Sequence, residues 1–188
     1  MRIVGGRHRG RRLFVPAGAV VRPTSDRARE AVFDILSHGR FAASGLPFAE
    51  ANVLDAFAGT GAFGLEALSR GAARAVFMEN GTEALAALRR NIAALGEDKR
   101  ADVLPGDATR PRRASEPCTL IFLDPPYRSG LAGPALLALA AAGWLAPEAL
   151  AVIETAARET MPPPVGLTLL DERRYGTARL LFLRRAVC

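Results

Sequence analysis

Between Asn52 and Glu154 the chain alternates short apolar runs with helical patterns, and this alternation limits its fold more than any other feature. Val53 to Phe57, Ala75 to Met78, Ala101 to Leu104, Thr119 to Leu123 and Leu150 to Glu154 read as strands. Between them, Ala62 to Arg70 reads as a helix closed by Gly71, Thr82 to Leu95 as one closed by Gly96, and residues 131 to 142 as an Ala- and Leu-rich third. Leu85, Leu88, Ile92 and Leu95 recur on one face of the second. Runs such as Leu120 to Leu123 are continuously apolar, which suits strands covered on both faces. The pattern predicts a Rossmann-like α/β fold: a mostly parallel sheet with helices on both faces. Leu167 to Arg173 and Arg179 to Arg184, split by Tyr175-Gly176-Thr177, add a C-terminal antiparallel hairpin and bring the expected strand number to seven.

Ahead of this unit, Met1 to Gly18 mixes Gly and Arg with short apolar pieces and ends at Pro16-Ala17-Gly18, which predicts a small β-hairpin. Ser25 can cap a helix with Ala28, Val32, Ile35 and Leu36 at helical spacing and Gly39 as its stop. Residues 40 to 51, with Gly45 and Pro47, read as loop. The expected division is an extension over residues 1–40 and a main domain over residues 41–188. Residues 1 to 30 carry eight arginines against Asp26 and Glu30, so the entire net charge of +6 sits there and the remainder is balanced. Clustered positive charge is the footprint of a polyphosphate partner, and Arg7, Arg9, Arg11, Arg12, Arg22 and Arg27 are the candidate contacts. Lys99 is the only lysine among 25 basic residues, so the position of the cluster carries this argument and the residue type does not.

No apolar run approaches the roughly 20 residues that span a bilayer, and the N-terminus lacks a signal-peptide core. A cytoplasmic protein without a membrane partner is expected. Cys118 and Cys188 give neither a disulfide framework nor a metal-site spacing, so no metal is expected.

Chemistry-bearing residues gather where the expected strands end. Gly59, Gly61 and Gly64 form a glycine-rich turn after the first strand, and Glu79 lies 20 residues after Gly59. Those features alone admit nicotinamide dinucleotide binding. Asp55 argues otherwise: it would crowd a pyrophosphate but can accept hydrogen bonds from a cationic amino-acid ligand, directly or through water. Asp107, after the third strand, can accept one from an adenine amine. With Asp124 after the fourth strand, four acids stand at the edge where open α/β sheets bind ligands. They suit a ligand with an ammonium, a sulfonium and ribose hydroxyls. Asp124-Pro125-Pro126-Tyr127 puts a carboxylate, a rigid turn and an aromatic ring at one strand end, which suits a flat substrate bearing an amine.

Over about residues 50 to 185 the chain resembles class I S-adenosylmethionine-dependent methyltransferases, in which DPPY after the fourth strand marks enzymes acting on exocyclic amino groups of bases. With Gly5-Gly6-Arg7-His8-Arg9-Gly10-Arg11-Arg12-Leu13 and Arg22-Pro23-Thr24-Ser25-Asp26-Arg27-Ala28-Arg29-Glu30 added, it is similar to the RsmD family of bacterial 16S rRNA guanine-N2 methyltransferases. The resemblance implies S-adenosyl-L-methionine as cofactor and 16S rRNA, or the assembling small ribosomal subunit, as partner of a monomer. It implies that Glu79 binds the cofactor ribose, that Asp107 reads its adenine, and that Gly59 and Gly61 let its amino-acid end lie against the loop near Asp55. Asp124 and the Pro125 carbonyl would accept hydrogen bonds from the substrate amine, with Pro126 stiffening the turn and Tyr127 stacking on the flipped base. The alternatives are methylation of DNA adenine or a protein glutamine amide, and a nicotinamide-dependent oxidoreductase. Pyrimidine-C5 methylation through Pro117-Cys118 is disfavoured, because six strand residues put Cys118 roughly 20 Å from Asp124.

Overall fold

The computed structural model describes residues 1–16, 26–38, 41 and 48–186. Ala17, Gly18, Arg22, Ser25, Gly39, Gly45, Pro47 and Cys188, all named above, lie outside the described residues.

Strands β1 (Asn52–Ala56), β2 (Arg74–Glu79), β3 (Ala101–Pro105), β4 (Cys118–Leu123), β5 (Leu145–Ala156), β6 (Leu167–Tyr175) and β7 (Ala178–Arg185) form one sheet in the order β3-β2-β1-β4-β5-β7-β6. β1 to β5 are parallel, and β7 runs antiparallel between β5 and β6. Among the described residues the α-helices with placed ends are α1 (Asp26–His38), α2 (Ala62–Ser69), α3 (Thr82–Leu95) and α4 (Ala132–Ala141). One core joins α1, α2 and α3 to the sheet through residues such as Phe33, Leu65 and Leu88, and the other joins α4 through Leu136 and Leu139. The seven-stranded, mostly parallel arrangement with a C-terminal antiparallel hairpin is the one the sequence pattern predicts.

Two boundaries differ for backbone reasons. β1 stops at Ala56 because Phe57 takes a left-handed conformation, with φ of 61°. β5 begins at Leu145, before Pro147, because a bulge lies between its pairings: Cys118 pairs with Leu145, and Leu120 with Leu150. Pro147 and the left-handed Glu148 (φ 61°) fall inside that irregularity, where a missing ladder donor is tolerated.

The N-terminal hairpin is reduced to a single antiparallel bridge, Arg2 to Arg12, around a 3-10 turn at Gly6–His8. It is fastened to the main fold by buried charge. Glu66 on α2 is fully buried; its Oε2 accepts the Val4 amide at 2.8 Å and its Oε1 accepts Arg70 Nε at 2.8 Å. Arg29 on α1 is also fully buried, with Nε 3.7 Å from Glu66 Oε2 and Nη2 donating to Asp26 at 2.9 Å and to the Arg2 carbonyl. A second anchor is Glu97, after α3, which pairs with Arg7, with Arg100 and with His8 at 2.7 Å. Burial raises the Glu97 pKa, but hydrogen bonds from Arg7, Arg100 and His8 outweigh it and hold the carboxyl below its usual range. Arg29 and Arg7, two of the eight arginines in the cationic stretch, are therefore engaged within the fold, and Arg29 has no exposed surface.

Removing Glu66 takes away the buried counter-charge of Arg29 and leaves it only the partly exposed Asp26. Glu66→Ala is expected to destabilise the protein by roughly 3–5 kcal/mol in urea unfolding; a loss below about 1 kcal/mol, the range of exposed pairs, would mean that the cluster supports nothing.

Candidate active site at the carboxyl edge of the sheet

Strand register brings Asp124 and Glu79 into one row, with Asp55 and Asp107 within two residues of it along their own chains. Leu123 pairs with Ala56, Ala56 with Met78, and Met78 with Leu104. The next residues along each chain are Asp124, Phe57, Glu79 and Pro105, so the turns after β4, β1, β2 and β3 leave the sheet side by side.

Glu79 links three of these turns. Its Oε2 accepts the Gly59 amide at 2.7 Å, and its Oε1 accepts the amides of Asn80 at 2.9 Å and Gly81 at 2.7 Å. Its backbone carbonyl takes the Gly106 amide at 2.9 Å. Gly59 adopts φ of 54°, and a side chain there would meet nothing within 4 Å, so the loop faces open space. Gly64 has the opposite environment: an added Cβ would lie 2.3 Å from Phe77 Cε1, so its missing side chain lets α2 pack on β2.

Asp55 is placed beneath this loop. It is 2% exposed, and its Oδ2 accepts the Gly64 amide at 2.8 Å. Direct ligand contact, which the sequence allowed, is disfavoured by that burial; the carboxylate holds the start of α2. Burial pushes its pKa up from 3.8 to about 7, opposed by the Gly64 hydrogen bond and the Arg29 charge and assisted by the charge of Glu79. Asp107 is exposed, and its Oδ1 accepts both the backbone amide and the hydroxyl of Thr109 at 2.8 Å. The Thr109 amide, then its hydroxyl, hold this carboxyl below the ordinary range. That turn leaves Oδ2 unused.

Asp124 and Tyr127 are half-buried, Pro125 is buried and Pro126 is exposed. The loop turns on a Ser129 amide to Pro126 carbonyl bond of 3.2 Å, with Arg128 left-handed at φ 60°. Left-handed Phe57 thus stands in the row between Glu79 and Asp124, and left-handed Arg128 follows Asp124 by four residues; strained backbone of this kind gathers at functional sites. Two acids absent from the sequence-based candidates hold the loop. Tyr127 donates its hydroxyl to Glu154 at 2.6 Å, and Glu154 is 3% exposed at the end of β5. Glu159 accepts the Arg128 amide at 3.1 Å. Glu154 had a legible signal, since it too closes an apolar strand; Glu159 had none.

Of the arm residues, Arg9, Arg11, Arg12 and Arg27 are exposed, Arg7 is half-exposed and bound to Glu97, and Arg22 is outside the described residues. A cavity of about 370 Å³ lies at the opposite edge of the sheet, lined by Arg74, Asp102, Glu116, Cys118 and Trp144 among others. Arg74 is paired there with Asp102 and Glu116, and burial pushes the Cys118 thiol up to about 12, which makes it inert. Among the described residues no cluster of His, Cys, Asp and Glu is placed to hold a metal, and no helix is long and apolar enough to cross a membrane.

The insertion of β7 between β5 and β6 separates this sheet from the dinucleotide-binding order 3-2-1-4-5-6. An Escherichia coli methyltransferase structure superposes with a TM-score of 0.83 at 37% identity, covering 99% of this chain and 98% of that one. A Haemophilus influenzae methylase does so at 0.80 and 29%, over 100% and 99%. The protein is a Rossmann-like methyltransferase. Residues 1–184 match the family described as conserved hypothetical protein 95. The chain is 37% identical over 188 residues to the ribosomal RNA small subunit methyltransferase D of Escherichia coli (strain K12), covering 99% of this chain and 91% of that protein. It is 33% identical to the Haemophilus influenzae methyltransferase D over 94% of this chain and 89% of that one. It belongs to this family, that of the small-subunit methyltransferase D proteins.

An acid whose pKa is raised by folding binds its proton more tightly in the native state. The stability Asp55 gives is therefore full below its unfolded value near 3.8 and is lost as pH rises toward about 7. Asp55→Asn keeps an acceptor for Gly64 and removes the titration. Unfolding measured from pH 4 to 8 should show the variant gaining on the parent up to pH 7; parallel curves would contradict the assignment.

Proposed function

We propose that this protein transfers a methyl group from S-adenosyl-L-methionine to the exocyclic N2 amine of a guanine in bacterial 16S rRNA. The observation that carries the proposal is the Asp124-Pro125-Pro126-Tyr127 loop leaving β4 beside the glycine loop, with Tyr127 fixed by Glu154. The names of the relatives supply the rRNA.

The carboxyl edge fits the cofactor's chemistry. The Glu79 carboxylate has acceptor capacity beyond its three amides, so it can take ribose hydroxyls while still bridging the turns. Asp107 presents Oδ2 to an adenine amine, and its lowered pKa keeps it an acceptor. The open space over Gly59 admits the amino-acid end, with Asp55 supporting the loop from below. When bound, the cofactor supplies an electrophilic sulfonium methyl.

The chain's own residues prepare the nucleophile. A purine exocyclic amine is weak because its lone pair is delocalised into the ring. Hydrogen bonds from that amine to the Asp124 carboxylate and the Pro125 carbonyl favour a pyramidal nitrogen and return the lone pair to it. Pro126 fixes the turn, and the Tyr127 ring, anchored through its hydroxyl, sets the plane of the flipped base. The work is positioning and electrostatics, with no covalent enzyme intermediate. The exposed arm arginines, Arg9, Arg11, Arg12 and Arg27, together with Arg22, neutralise rRNA phosphates, while Arg7 is committed to Glu97, so residues 1–40 serve as the RNA-contacting extension of the catalytic domain.

Asp124→Ala should bind S-adenosylhomocysteine like the parent and lose methyl transfer to 16S rRNA by a factor of about 10² or more. Transfer of labelled methyl groups to rRNA, duplex DNA and release factors, followed by mapping of the modified nucleotide, tests the substrate. Methylation of DNA or protein in place of rRNA, or near-parental turnover by the variant, would overturn the proposal.

A further inference from the structure

The arm does not end at its buried anchors; it continues along α3. Arg11 donates Nη2 to the Ala94 carbonyl, in the last turn of α3, at 2.7 Å. Three residues later, Phe14 is one of the few large apolar side chains of the described residues left in solvent, 40% exposed. Its backbone is held rigidly. Asn91 on α3, itself 2% exposed, accepts the Phe14 amide through Oδ1 at 2.7 Å and donates Nδ2 to the Phe14 carbonyl at 3.1 Å. The same Nδ2 donates to the Thr60 carbonyl at 3.0 Å, so one buried amide joins Phe14 to the glycine loop. Arg90 lays its guanidinium 4.0 Å from the centroid of the Phe14 ring.

Leaving an aromatic ring partly in water forfeits part of the stabilisation that burying it would give, and the hydrogen bonds at both ends of the residue hold it at that position. A partner of matching chemistry would recover that term. The surroundings select a polyanion: Arg9, Arg11 and Arg12 on the arm and Arg89 and Arg90 on α3 are all exposed, whereas α3 carries one acid, Glu83, in its first turn. An exposed ring paired with a guanidinium on a basic surface is the arrangement that takes an unstacked nucleotide, since every base offers a π-face and the phosphate beside it a charge. We infer that Phe14 and Arg90 form a base-stacking platform for an unpaired nucleotide of the RNA, positioned against the cofactor loop by Asn91. This rests on the proposed rRNA substrate and extends the RNA surface from the arm onto α3.

Stacking and ion pairing separate by their response to salt. Binding of the full-length protein to transcribed 16S rRNA is measured across a salt series for the parent, Phe14→Leu, Phe14→Trp and Arg90→Gln, with S-adenosylhomocysteine affinity and thermal unfolding alongside. Phe14→Leu, which keeps apolar bulk, should weaken RNA binding about tenfold, the effect of one lost base-aromatic stack, without changing the slope of log K against log salt. Phe14→Trp should bind at least as well as the parent. Arg90→Gln should weaken binding and make the slope shallower by about 0.7–0.9. Cofactor-product affinity and melting should stay at parental values in all three. Parental RNA affinity in Phe14→Leu overturns the platform while leaving the rRNA substrate intact, as does a loss that only tracks lowered stability or cofactor affinity. A parent protein that binds no RNA overturns the substrate proposal itself, and the platform with it.

Discussion

The Glu79 carboxylate is the constraint on which the candidate site depends. Three backbone amides from two different turns converge on it, and its own carbonyl holds a third turn through Gly106. Amide donors of this kind are costly to leave unpaired, and a carboxylate satisfies several at once. The glycine loop is thereby set before any ligand arrives. A ligand that hydrogen-bonds Glu79 shares an acceptor already in use, so its binding strengthens an existing arrangement and need not create one. The same economy holds at the Asp124 loop, which Glu154 near the end of β5 and Glu159 just beyond that strand restrain. In both places a carboxylate on the rigid sheet edge disciplines an irregular segment.

Charge in the first 38 residues has two separate uses. Arg29, buried, and Arg7, half-exposed, pair with Glu66 and Glu97 and attach the extension to α2 and to the end of α3. Arg9, Arg11, Arg12 and Arg27 face outward. A buried ion pair is poor as a source of net stability but demanding in geometry. Attaching a glycine-rich segment in this way fixes where the exposed arginines stand relative to the sheet edge, which an apolar contact alone specifies less sharply.

The fold was readable because its strands are short, buried and separated by helices with clear glycine stops. Failures were local and had backbone causes: left-handed Phe57 ends β1 one residue early, and a bulge lets β5 run through Pro147. The acids at the strand ends were legible because register depends only on where each strand stops. Direction was not. Whether Asp55 faced a ligand or the backbone depended on the packing of α2, and the division of arginines into inward and outward sets depended on partners 37 to 90 residues away, such as Glu66 and Glu97. Asn91 was invisible for the same reason: a mid-helix Asn becomes a bridge only when two separate segments, at Phe14 and Thr60, are brought to it.

The placement of β7 carries a consequence for how the chain reaches this structure. β7 is made after β6 yet lies between β5 and β6, pairing with β5 from Leu150 to Ala156 and with β6 from Leu167 to Tyr175. β6 therefore has no sheet to join until β7 exists, and the apolar edge of β5 stays open for the same interval. During synthesis the parallel half of the sheet can assemble while the hairpin is still incomplete, and the long-range closure at Ala178–Arg185 comes last. An unpaired β5 edge in that interval is a template for strand addition by another chain, so the risk of misassembly is concentrated in the time needed to make the final strand.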